Sequence, residues 1–152
     1  MRIELEPSPA PEALQTIYDG LQRHNEGFAP GGGDSIFAVF LRGEDGRILG
    51  GIIAKAGRGW LKIGTLWVDE TVRGQGFGRQ LMETAESESI HLNCHSAYLD
   101  TFSFQAPEFY QKCGYEIFGT LEAFPDEHKR FFMRKSLKQR DSENGKQSET
   151  RK

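Results

Sequence analysis

Residues 73–79, Arg-Gly-Gln-Gly-Phe-Gly-Arg, place three glycines and two arginines between an apolar run at 60–68 and an amphipathic run that starts near Gly78. Each glycine inside a regular element costs roughly 0.5–1 kcal/mol relative to alanine, so three of them in five residues imply a geometry that other residues would block. The flanking patterns define that geometry. The run "WLKIGTLWV" carries apolar residues on both faces and reads as a central strand. The run after Gly78 carries Leu81, Met82, Ala85 and Leu92 at helical spacing, which predicts a helix with those residues on its inner face. A strand handing over to a helix through a glycine loop places the chain in the α/β class.

The first N–H groups of a helix have no intrahelical partner, and the helix dipole is positive there, so an anion is favoured at this junction. Glycines let successive N–H groups converge on phosphate oxygens, and Arg73 and Arg79 add countercharge. Two familiar phosphate loops do not fit. A P-loop needs Gly-x-x-x-x-Gly-Lys-Ser/Thr, and no Lys-Ser/Thr pair follows here. A dinucleotide loop needs Gly-x-Gly-x-x-Gly, whereas Gly74, Gly76 and Gly78 give Gly-x-Gly-x-Gly. A glycine-rich turn that binds nothing is the structural alternative.

The rest of the chain extends the pattern. Residues 2–7, "RIELEP", alternate apolar and charged side chains and predict a short strand. Leu14, Ile17, Tyr18 and Leu21 form a helical stripe entered through "SPAPE". The loop "GFAPGGGD" follows as a flexible connection. Residues 35–60 read as two strands with turns at 44–46 and 57–59. Beyond the second helix come a buried strand "SAYLDTFSF", a short helix "APEFYQKCG", and two closing strands, "YEIFGTLEAF" and "HKRFFMRKSL". The predicted order is β-α-β-β-β-α-β-α-β-β, a mixed α/β (α+β) fold of one domain over residues 1–137, with helices on both faces of the sheet. Residues 138–152 contain no apolar side chain and predict a disordered polar tail.

Arg73-Gly74-Gln75-Gly76-Phe77-Gly78 resembles the R/Q-x-x-G-x-G/A loop of the GNAT superfamily of N-acetyltransferases, which holds the pyrophosphate of acetyl-CoA. Residues 109–119, "FYQKCGYEIFG", resemble the closing Y-x-K-x-G-[FY] signature of the same family, one helix and one strand further on. The resemblance runs from about Ser35 to Leu137. It implies a pyrophosphate seat at residues 73–79. It also implies that the strand before the loop and the next one splay apart, so that the backbone of Leu66, Trp67 and Val68 meets the pantetheine amides. The Trp67 side chain itself reads equally as core packing.

The same resemblance gives Tyr110 the family role of donor to the CoA sulfur; a core tyrosine at a helix–sheet seam is the alternative. Against a thiol of ordinary pKa near 8.5, full proton transfer from tyrosine is uphill by about 2 kcal/mol, so hydrogen bonding as charge develops is the expected mode. Ser103 stands where the family has asparagine in N-x-x-A-x-x-[LF]-Y, counted back from Tyr110, and is expected to keep a shorter cofactor contact. An alkylammonium is only about 0.1% neutral at pH 7, so an amine acceptor needs help to lose its proton. Many relatives carry a carboxylate in the strand before the loop; residues 61–68, "LKIGTLWV", have none. Asp100 is the candidate for orienting the amine or a water, with capping of the next turn as its alternative. His128 reads as near the substrate end or as part of a solvated turn.

Other function classes are disfavoured. A net charge of −3 argues against a grip on nucleic acid, and no apolar run approaches the roughly 20 residues of a membrane span. The start "MRIELEPSPA" has no signal-peptide core, so a cytoplasmic location is expected, with Cys94 and Cys113 as reduced thiols lacking a base partner for nucleophilic catalysis. His91, Cys94 and His95 have helical spacing but no fourth ligand, so no metal is expected. The reading that results is acetyl transfer from acetyl-CoA to a primary amine, a small molecule in preference to a protein lysine, by direct transfer in a ternary complex. A non-catalytic acyl-CoA-sensing domain is its alternative from another class, and a homodimer is left open.

Overall fold

The computed structural model describes residues 1–28 and 33–137. The predicted tail at 138–152 and part of the loop "GFAPGGGD" lie outside the described residues. The chain divides into two compact units, residues 1–33 and 34–152.

In the first unit, helix α1 spans Pro11–Glu26, with proline in its first turn as the sequence suggests. Leu14, Ile17, Tyr18 and Leu21 recur on it at helical spacing and are all exposed. The strand predicted at 2–7 does not form. A strand is completed by a neighbour's N–H and C=O groups, and residues 2–7 have no ladder partner among the described residues.

The second unit is a six-stranded mixed sheet with two helices. Its strands are β1 (Ser35–Arg42), β2 (Ile48–Gly57), β3 (Trp60–Val68), β4 (Ser96–Phe102), β5 (Glu116–Leu121) and β6 (Arg130–Ser136), ordered β1-β2-β3-β4-β6-β5. All neighbours are antiparallel except β3 and β4. Helix α2 (Phe77–His91) makes the crossover between that parallel pair, and α3 (Pro107–Lys112) follows β4. Gly43 donates to the Arg47 carbonyl at 2.9 Å and closes the predicted turn before β2.

Alternate residues of the strands form one core: Ile52, Ala54, Leu61, Ile63, Ala97, Leu99 and Met133. Met82 and Ala85 of α2 pack on it, with Phe109 and Tyr110 of α3 against its margin. Both helices of this unit therefore cover one face. The sequence reading differs at three points. In β3, Trp60 and Lys62 alternate with buried Leu61 and Ile63 and are exposed, and past an irregularity at Gly64 Trp67 joins the exposed face, so the strand is buried on one face only. Leu92 is not part of the inner helix face but the C-cap of α2, 38% exposed. Trp67 is 48% exposed, which removes the core-packing reading.

Among the described residues one charged side chain is buried with this core. Glu86 of α2 is 8% exposed; it accepts a hydrogen bond from the Tyr115 hydroxyl at 3.0 Å and one from Lys135 Nζ at 2.8 Å. A buried carboxylate is tolerated only when so satisfied, and the arrangement ties α2 to β6 and to the residue that enters β5. Burial and the Glu86 charge hold the Tyr115 phenol well above the ordinary tyrosine range. The unfolded chain therefore loses the Tyr115 proton first, and stability falls as pH rises past about 10. Tyr115→Phe is expected to cost about 1–2 kcal/mol in urea unfolding at pH 8. The gap to wild type should then narrow by about 1.4 kcal/mol between pH 8 and pH 11. A gap that stays constant over that range would contradict the assignment.

Candidate active site

The junction between β3 and α2 is built residue by residue for an open helix end. Asp69 accepts from the Thr71 N–H at 2.9 Å and its hydroxyl at 2.6 Å, fixing the single 3₁₀ turn Glu70–Val72; these bonds hold its carboxyl below the usual range. The chain then passes through Gly74 (φ 74°) and Gly76 (φ 88°), both left-handed, a region costly for residues with a Cβ. Gly76 is the N-cap of α2, and the first intrahelical bond runs from the Gln80 N–H to the Gly76 carbonyl at 3.1 Å. Among the described residues no side chain caps this end and no acidic residue lies in its first turn, so the N–H groups of Phe77, Gly78 and Arg79 have no capping partner there. A Cβ built on Gly74 or Gly76 meets nothing within 4 Å. The space before the helix is open.

Gly78 also has a packing role that its sequence does not announce. A Cβ there would stand 3.2 Å from the Phe109 ring, so this glycine lets α2 and α3 approach closely. The two arginines are partly engaged. Arg73 donates through Nε to the Val68 carbonyl at 2.8 Å, and Arg79 pairs with Glu83 at 3.0 Å on the exposed surface. Gln75 lies between the two left-handed glycines and is exposed.

β3 and β4 pair only at Trp60–Ser96, Leu61–Ala97 and Lys62–Tyr98, and beyond these they have no ladder contact. The divergence begins beside a β-bulge: Ile53 of β2 opposes Thr65 while Ala54 opposes Ile63, leaving Gly64 as the extra residue. A bulge bends its strand and raises its twist. On the β4 side, Leu66 and Val68 therefore have backbone groups without a strand partner, although the Val68 carbonyl is taken by Arg73. Trp67, expected to share that role, turns its backbone groups to β2 instead, since the Asp69 N–H to Leu49 carbonyl bond sets the alternation that makes Trp67 and Gly51 a hydrogen-bonded pair. The interior Gly64 is the sequence signal for this bulge, and it was legible as an isolated glycine in a strand.

Tyr110 stands on α3 next to Phe109, the residue that rests on Gly78. Its ring is held edge-on between Phe109 (centroids 5.1 Å apart) and Tyr115 (6.4 Å), and its carbonyl accepts the Tyr115 N–H at 3.0 Å. Among the described residues its hydroxyl has no hydrogen-bond partner, although no buried polar side-chain atom is left unsatisfied. Burial, and secondly Cys113, push its pKa above the ordinary 10. At neutral pH it is a protonated, unengaged donor.

Two expected site residues are otherwise occupied. Ser103 accepts the Lys129 N–H at 3.0 Å and lies 3.4 Å from His128 Nδ1, so its hydroxyl pins the segment before β6. Asp100 neither caps the next turn nor stands alone. The turn is held by Gln105, whose Oε1 accepts from Phe102 N–H, while Asp100 Oδ2 receives both Arg130 Nε (2.8 Å) and a terminal nitrogen (2.6 Å). Arg130 was not foreseen, because the contact joins residues 30 apart through adjacent strands. His91, Cys94 and His95 separate into different surroundings: His91 pairs with Glu88, Cys94 is buried, and His95 meets Ser96. Among the described residues no cluster of three or more His, Cys, Asp or Glu is placed to hold a metal, and no helix is long and apolar enough to cross a membrane.

The open helix end yields a direct expectation. Gly76→Val should cost about 1–2 kcal/mol through the left-handed backbone, leave the chain folded, and abolish acetyl-CoA binding by filling the space before the N–H groups. Unchanged affinity by calorimetry in a folded variant would contradict the anion-seat assignment.

Comparison with known proteins agrees with this geometry. The model of the acetyltransferase (GNAT) family matches residues 3–115. A blasticidin-S acetyltransferase from Streptomyces morookaense is 34% identical over 91 residues, covering 59% of this chain and 67% of that protein. Acetyltransferase Atu2258 from Agrobacterium fabrum is 35% identical over 83 residues, 55% of this chain and 61% of its own length. The crystal structure of an acetyltransferase from Bacillus cereus superposes with a TM-score of 0.80 at 31% identity, over 88% of this chain and 98% of that one. The chain belongs to the acetyltransferase (GNAT) family and is an acyltransferase.

Proposed function

We propose that the protein transfers an acetyl group from acetyl-CoA to a primary amine of a small molecule. The observation that carries this reading is the uncapped N-terminus of α2, reached through two left-handed glycines where β3 has left β4. The residues fit the donor. The N–H groups of Phe77, Gly78 and Arg79 take the pyrophosphate, with Gly74, Gln75 and Gly76 shaping the approach and Arg73 and Arg79 supplying countercharge. The β4-facing backbone groups of Leu66, with the Val68 N–H, take the pantetheine amides. Acetyl-CoA supplies an activated thioester; the chain orients it and excludes water. A small-molecule acceptor is supported by the name of one relative, a blasticidin-S acetyltransferase.

Tyr110 is the residue placed to act on the chemistry. Its raised pKa makes it a poor acid for a thiolate, so it stabilises developing charge on the sulfur by donating a hydrogen bond. Transfer is direct, within a complex that holds donor and amine together. Burial raises the thiols of Cys94 and Cys113, which leaves both poor candidates for a covalent acyl intermediate. We place this reaction in the cytoplasm and the catalytic domain at residues 1–137.

Tyr110→Phe is the test. It keeps the ring between Phe109 and Tyr115 and removes only an unpartnered hydroxyl, so stability and acetyl-CoA affinity should change little. An interaction that strengthens only in the transition state appears in kcat, and a loss of about 100-fold is expected. A kcat within about threefold of wild type, the range of a minor hydrogen bond, would make Tyr110 a packing residue.

A further inference from the structure

The face of the sheet opposite the core carries an unusual group of side chains where β4 ends and β6 begins. Phe102 stacks on Phe104 (centroids 5.1 Å apart, 6° between planes) and on Phe124 (5.5 Å, 24°). The Arg130 guanidinium lies 5.7 Å from the Phe102 ring centre and 5.3 Å from that of Phe124. The stack is therefore fixed from within by a cation held between rings. Its outer ring, Phe104, meets His128 edge-on (centroids 5.0 Å apart) and is otherwise accessible, 57% exposed.

Asp100 lies two residues before Phe102 on the same strand, so both side chains project from the same face of β4. Both Arg130 contacts go to its Oδ2, and Oδ1 has no partner among the described residues. Asp100 and Phe102 belong to the part of β4 that no longer pairs with β3, the same divergence at which the donor seat is proposed. Tyr110 and α2 pack on the core face, whereas this group occupies the opposite face. The two faces of the opening thus carry different chemistry, an anion seat and a thiol donor on one and an aromatic stack with a free carboxylate oxygen on the other.

We propose that this stack is the acceptor subsite, and that the acceptor is an amine bearing a planar aromatic or heteroaromatic ring. The ring adds to the exposed end of the stack at Phe104, and the amine nitrogen donates to Asp100 Oδ1. Arg130 is a positioning residue that fixes the carboxylate and backs the rings. A saturated ring of similar size gains the apolar contact but lacks the offset stacking of two π-systems, so the subsite distinguishes planar from puckered amines. The proposal rests on the acetyltransferase reading and names the substrate class of that site.

The test uses the full chain saturated with CoA and two matched probes, 2-phenylethylamine and 2-cyclohexylethylamine, with affinities read by calorimetry. Wild type should bind the phenyl amine about three- to tenfold more tightly. Phe104→Leu, at an exposed position, should bring the two affinities within twofold of each other. Asp100→Asn should weaken both amines while keeping the preference for the ring, which a merely structural loss would not do. Equal binding of the two amines by wild type, a preference unchanged in Phe104→Leu, or no binding of either would overturn the subsite. Binding of CoA itself, measured in the same titrations, decides the parent reading separately.

Discussion

The arrangement depends on the separation of β3 from β4. Parallel strands of a sheet normally satisfy each other along their length, and here the ladder stops after three residue pairs. The Gly64 bulge redirects β3 at that point, and antiparallel pairing to β2 continues on its other side, so the strand stays anchored while its β4-facing groups become free. Unpaired backbone groups inside a sheet are costly unless a ligand or water satisfies them. The split is therefore most simply explained by an extended, amide-bearing ligand.

The anion seat follows from the same strand. β3 ends at Val68, the Arg73 side chain folds back on its carbonyl, and the Asp69-capped turn sends the chain into Gly74 and Gly76. Those two glycines aim the end of α2 at open space, and the absence of an acidic residue in its first turn leaves the dipole uncompensated by the protein. Gly78 then allows α3 to press against α2 through Phe109, whose ring also packs edge-on against Tyr110. Loop, helix end and tyrosine are consequently one packed assembly. The buried Glu86–Tyr115–Lys135 group holds its far side, because Tyr115 bonds the Tyr110 carbonyl and contacts its ring.

Much of this was legible in the chain. The glycine loop, the amphipathic α2 and the Phe109–Tyr110 helix follow from local periodicity and from spacing, which encode their own geometry. What escaped was what depends on partners distant in sequence. The alternation in residues 2–7 suggests a strand, but a ladder needs a neighbour that local pattern cannot supply. Trp67 looks like core because it is large, apolar and in step with Leu61 and Ile63, yet the bulge at Gly64 shifts the alternation by one residue and turns it to the opposite face. Ser103 follows from its position in a motif and Asp100 from its place near the end of a strand, and neither local pattern reveals their contacts to Lys129 and Arg130 across the sheet. Gly78 matches the loop motif but owes its identity to a phenyl ring 31 positions away.

The central claim is that acetyl-CoA lies across the divergence of β3 from β4, with its pyrophosphate at the start of α2. Amide hydrogen exchange with and without acetyl-CoA tests it most directly, since the claim names the N–H groups involved. Bound donor should slow exchange at residues 74–80 and 64–68 and leave the second half of α2 unchanged. Saturating acetyl-CoA, with binding verified by calorimetry, that left both stretches unaltered or protected the outer strand β1 instead would contradict it.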